Sequence, residues 1–77
     1  MRADTGDFGG ALDLFRKAIE REPWNASLHE NAAMMLSALE RHEEAMAEAG
    51  EAIRLAPESP RARKTYATLS ERATGGR

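Results

Sequence analysis

A chain of 77 residues, 42% hydrophobic and 31% charged, is at most one small globular domain, near the size at which a single core is only marginally stabilising. Its formal net charge of −2 gives no general attraction to nucleic acid or to an anionic membrane. It has no cysteine, which removes disulfides and thiolate metal or redox chemistry and suits a reducing compartment.

The first six residues, Met1-Arg2-Ala3-Asp4-Thr5-Gly6, carry no periodicity and read as a flexible lead-in without the apolar segment of a secretory signal. From residue 7 to 22 the apolar positions Phe8, Ala11, Leu12, Phe15, Ala18 and Ile19 form a stripe of helical period. Gly9 and Gly10 weaken its first turn by up to about 1 kcal/mol each relative to alanine. Pro23 ends it.

A second helix is predicted over 26–39, with Leu28, Ala32, Met35, Leu36 and Leu39 on one face and Ala33 and Met34 widening it. Asn25 or Ser27 is available as its N-cap, and Ser27 with Glu30 has the capping-box spacing. After a polar break at 40–43, a third helix runs to residue 55 and is stopped by Pro57. Its small residues Ala45, Ala49 and Ala52 fall on one face, where they admit a close neighbour. Ser59 as N-cap and Pro60 as first residue start a fourth helix over 60–73, with Ala62, Tyr66, Ala67, Leu69 and Ala73 as its apolar set. Residues 74–77 read as a flexible tail. No apolar run approaches the roughly 18 residues that span a bilayer.

The shift that carries Ala11 onto Ala45 also carries Ala18 onto Ala52, Ile19 onto Ile53, Pro23 onto Pro57 and Ala33 onto Ala67. These identities coincide with the buried faces and the helix stops. In its Gly6-Asp7-Phe8 turn, Ala11, Phe15, Ala18, Ile19 and Pro23, the chain resembles the tetratricopeptide repeat family. The resemblance implies an all-α, antiparallel helix-turn-helix solenoid of four helices. Residues 7–25 would be the second helix of a partial repeat, 26–59 a complete repeat, and 60–73 a cap helix or partial repeat. The pattern departs at Glu40-Arg41-His42, where a second Gly-Asp-aromatic turn is expected, and at His29, Arg63 and Ala49, where the family favours larger apolar residues. By that pattern the first unit would lack its own first helix. The chain is then expected to be a segment of a longer array or a self-associating piece that uses the uncovered face of residues 7–22, in preference to a marginal monomer.

The resemblance also implies function: a non-catalytic, cytoplasmic module that binds a peptide or protein segment along a concave groove lined by the first helix of each unit. Candidate lining residues are Ser27, Glu30, Asn31, Met34 and Ala38 on the second helix and Arg61, Lys64, Thr65 and Thr68 on the fourth. Six are taken as the site: Glu30, Asn31, Met34, Arg61, Lys64 and Thr65. Asn31 can donate to and accept from a peptide backbone, and Arg61 and Lys64 can hold a carboxylate. Some family members clamp a terminal carboxylate with an asparagine at the position of Asn31 and a base at that of Arg61. Thr65 stands where a further base would be needed.

Other chemistry finds little footing. His29 and His42 have no partner at metal-binding spacing, and adjacent residues such as His29 and Glu30 point about 100° apart on a helix. His29 is better read as a packing residue and His42 as a turn residue. Trp24 is read as packing between repeats rather than as an exposed anchor. No nucleophile is paired with a base, so neither catalysis nor a cofactor is expected. Arg61, Arg63 and Lys64 lack the interleaved aromatics of a nucleic-acid surface. Two further readings stay open: a structural, self-associating segment, or the recruiting part of an enzyme whose catalytic domain lies elsewhere.

Overall fold

The computed structural model describes residues 7–74. The expected lead-in at 1–6 and residues 75–77 of the tail expected at 74–77 lie outside them; Thr74 is the C-cap of the last helix. The described residues form four α-helices: α1 (Phe8–Arg21), α2 (Ala26–Ala38), α3 (His42–Leu55) and α4 (Pro60–Ala73). The step that advances Phe8 to His42 also brings Arg21 to Leu55, so the bounds of α1 map onto those of α3. The same step carries Ala26, at the start of α2, to Pro60, at the start of α4. The period therefore lives in the backbone as well as in the side chains. Each helix packs on its neighbours in sequence, α1 on α2, α2 on α3 and α3 on α4, and α4 also returns to touch α2.

Small side chains make this packing close. The core consists of Leu12, Ala32, Ala33, Leu36, Ala45, Ala49 and Leu69, with Phe15, Ile19, Met35 and Met46 closing its sides. Leu36 is the largest fully buried side chain. Alanine faces on α2 and α3 let the two helices approach without forcing rotamers, so contact area replaces side-chain bulk.

The helix ends show why these boundaries hold. Asp7 caps α1 by accepting from the Gly10 amide at 2.9 Å. A Cβ on Gly10 would collide with that carboxylate, so its missing side chain makes room for the cap. The equivalent of Asp7 in α3 is Arg41, which makes no capping bond and instead pairs with Glu44. α4 starts as its sequence predicts, with Ser59 accepting from the Ala62 amide and Pro60 in the first turn.

Between α2 and α3 the chain turns through Glu40, which has a φ of 63°. The Arg41 amide donates to Leu36 O at 2.8 Å and the Glu40 amide to Ser37 O at 2.9 Å. These two bonds define a left-handed helix stop of the kind usually built on glycine.

Several expectations are corrected. α2 is capped by Asn25, which accepts from the Ser27 amide at 3.0 Å; the capping box of Ser27 and Glu30 is not made, because Glu30 is turned to α4. Trp24 is 66% exposed and does not pack between repeats. Among the apolar set of α4 only Ala62 and Leu69 are buried; Ala67 and Ala73 are exposed, and Tyr66 lies half-open over Gly50. On α1 only Leu12 of the stripe is fully buried, and Leu14, outside it, is 67% exposed.

Candidate groove between the second and fourth helices

α2 carries three polar residues that are buried, and each is bonded to another element. His29 has its Nδ1 2.7 Å from Glu48 Oε1 on α3 and its Nε2 3.0 Å from the carbonyl oxygen of Pro23. Both ring nitrogens thus face acceptors, a geometry satisfied in full only by the doubly protonated ring. Burial works against that charge, but the bonds to Glu48 and Pro23 and the charges of Glu48 and Glu51 outweigh it, so the His29 pKa is raised. Glu30 accepts from Arg61 Nε at 3.0 Å, and Ser37 Oγ accepts from Arg72 Nη1 at 3.2 Å.

These last two bonds tie α4 to α2 at its two ends. Between them lies an open cavity of about 200 Å³, lined by Met34, Arg61, Lys64, Thr65, Thr68, Leu69 and Arg72. The six α4 residues recur every three or four positions and so form one helix face. Met34 supplies the opposite wall and is 50% exposed. The volume is below the roughly 300–1,000 Å³ of small-molecule and cofactor sites. Its floor is apolar and its rim cationic.

Of the six site residues expected from sequence, Met34, Arg61, Lys64 and Thr65 are brought together round this cavity. Glu30 is buried behind Arg61 and faces it rather than the opening. Asn31 is half-buried on α2 and does not line the cavity. Sequence reasoning missed Arg72 and Leu69 as lining residues. Arg72 stands eleven positions after Arg61, three turns on, and extending that face by one more turn would have found it.

Among the described residues no group of three or more His, Cys, Asp or Glu side chains could hold a metal ion, and no helix is long and apolar enough to cross a membrane. Consecutive helices that recur at a fixed interval, each covering its neighbour, define an α-helical repeat protein. A family model for the tetratricopeptide repeat matches residues 2–69, and the chain belongs to that family. An inactive TPR repeat-containing thioredoxin, TTL3, of Arabidopsis thaliana is similar to it, 42% identical over 64 residues that make up 83% of this chain and 9% of that protein. The chain thus spans about a tenth of that relative's length. No solved structure matches. Repeats of this family in general mediate contacts between proteins and are not catalytic.

Proposed function

We propose that the chain is a non-catalytic interaction module that holds a peptide or protein segment between α2 and α4. The observation that carries this reading is the cavity itself. A half-exposed methionine faces an apolar floor, with donors at its rim and nothing among the described residues filling it. We divide the chain as a half unit at 7–25, a whole unit at 26–59 and a last helix at 60–73, and place it in the cytoplasm, which its lack of cysteine suits.

Selecting nonapeptides from a random display library on the folded chain tests the groove. Selected peptides should lose binding to Met34→Arg and Thr68→Arg variants that keep the wild-type circular dichroism. Binders indifferent to both substitutions would show that the groove is not where partners sit. A second reading, self-association through the outer face of α1, is favoured by the exposure of Leu14. Mass measured across a dilution series decides it, since a monomer at every concentration removes that reading.

A further inference from the structure

We infer that the partner held between α2 and α4 is an acidic segment in extended form, bearing one apolar side chain, whose several side-chain carboxylates meet Arg61, Lys64 and Arg72. This rests on the groove reading above and adds the chemistry of the occupant. Charge is the first observation. Three cations line the cavity, and among the described residues the one carboxylate engaged with them is Glu30, bound through Arg61 Nε. The Nη groups of Arg61 remain available to a ligand, and Arg72 is bonded to a neutral hydroxyl, Ser37 Oγ. Lys64 forms no salt bridge among the described residues, and Glu71, though nearby in sequence, does not line the cavity. A surplus of positive charge therefore sits on a chain whose net charge is −2.

The placement of one of those cations costs stability. Arg61 sits in the first turn of α4, which has no acidic residue, while Arg72 lies in the last turn. A helix N-terminus is already positive, and further cations there are unfavourable. At Arg61 the face is arranged against the helix and in favour of an anion.

Spacing then decides what kind of anion. From Arg61 to Arg72 is about 16 Å along the helix, at about 1.5 Å per residue. A single carboxylate cannot meet both ends, whereas an extended segment covers that length in about five residues. The cavity of about 200 Å³ between Met34 and Leu69 exceeds the roughly 150 Å³ that accommodates a benzene ring, so it takes one leucine- or phenylalanine-sized side chain. Methionine suits such a contact because its unbranched thioether adapts to the shape presented.

The test uses the full chain and a fluorescein-labelled nonapeptide of serine and aspartate with one central leucine, acetylated and amidated so that no terminal carboxylate is present. By anisotropy at low salt it should bind about tenfold or more tightly than the same peptide with asparagine for aspartate, and the advantage should shrink as salt is raised. Lys64→Glu should weaken it about tenfold or more and Lys64→Gln less, and the exposure of Lys64 leaves the fold intact in both. Amide shifts in a nitrogen-correlation spectrum should map to Met34, Thr65 and Thr68.

Equal affinity for the asparagine peptide, with the same amides shifted, overturns the acidic occupant and leaves the groove reading standing. Binding that appears only when the peptide's terminal carboxylate is free overturns it too, as does tighter binding of an oligothymidylate of equal charge. If no peptide of the series moves the groove amides, the inference falls; display-selected peptides then decide the groove reading separately.

Discussion

At the level of single residues, two positions carry consequences out of proportion to their size. His29 joins α2 to α3 through Glu48 and to the α1–α2 connection through the Pro23 carbonyl. Its pKa is raised in the folded chain, so the protonated ring is favoured by folding. The stability it supplies is complete below its ordinary value of 6.5 and is lost as pH rises through the higher folded value. Glu44 and Glu51, held below the ordinary carboxylate range chiefly by hydrogen bonds from Arg41 and Arg54, titrate beneath this window. Urea melts from about pH 5.5 to about pH 8.5 should show stability falling with pH in the wild type and a flatter profile in His29→Gln. A slope unchanged by the substitution would assign it elsewhere.

Glu40 is the second position. Its φ of 63° places an L side chain where glycine is at ease, and the step that takes Phe8 to His42 puts Gly6 on this position in the sequence. Non-glycine residues in that region carry about 1 kcal/mol or more of strain. Glu40→Gly should therefore stabilise the chain by up to about 1 kcal/mol, the rest being offset by the greater freedom of glycine when unfolded. Chemical denaturation of the two proteins side by side measures it, and a loss of stability would mean that Glu40 has a favourable role its backbone conceals.

Among the elements, α4 is far less integrated than α2. It buries only Ala62 and Leu69, whereas α2 buries six residues, His29, Glu30, Ala32, Ala33, Leu36 and Ser37. Its outward positions Arg63, Ala67 and Glu71 are exposed, and Tyr66 is partly so. Because helices here pack chiefly on neighbours in sequence, α4 can open without dismantling α1, α2 and α3. Hydrogen exchange should show the amides of α4 exchanging faster than those of α2, by about tenfold or more for each 1.4 kcal/mol by which its local opening is easier. A ligand spanning Met34 and Arg61 should slow exchange in α4 above all, since it adds the second face that this helix lacks. Equal protection in α2 and α4 would show a single cooperative unit.

For the molecule as a whole, the architecture was written in three prolines and a period. Pro23 and Pro57 stop α1 and α3, Pro60 starts α4, and the alanines that recur at the repeat interval mark the faces that α2 and α3 share. These are local signals, and local signals survive without knowledge of neighbours. What stayed hidden depends on distant ones. Glu30 reads as a groove residue until Arg61, far along the chain, turns it inward. Trp24 and Tyr66 read as core residues because they are large and apolar, yet their exposure is set by which helices pass nearby. The cavity was half legible: Met34, Arg61, Lys64 and Thr65 follow from the family resemblance, which implies which helices line the groove, while Leu69 shows only as a core residue and Arg72 only once the face is followed to its end.

The three buried polar side chains of α2 have one more consequence, for assembly. A chain built from near-copies of one helix pair risks docking a helix against the wrong copy, in the same molecule or another. His29, Glu30 and Ser37 act as an address. Each finds its partner, Glu48, Arg61 or Arg72, only when α3 and α4 arrive in the native register. A misdocked neighbour would leave a buried donor or acceptor unpaired, at about 1–3 kcal/mol apiece. Replacing all three with leucine, methionine and alanine should leave a helical, compact chain with broadened amide resonances and a concentration-dependent mass, having lost the means to tell one helix from its copy.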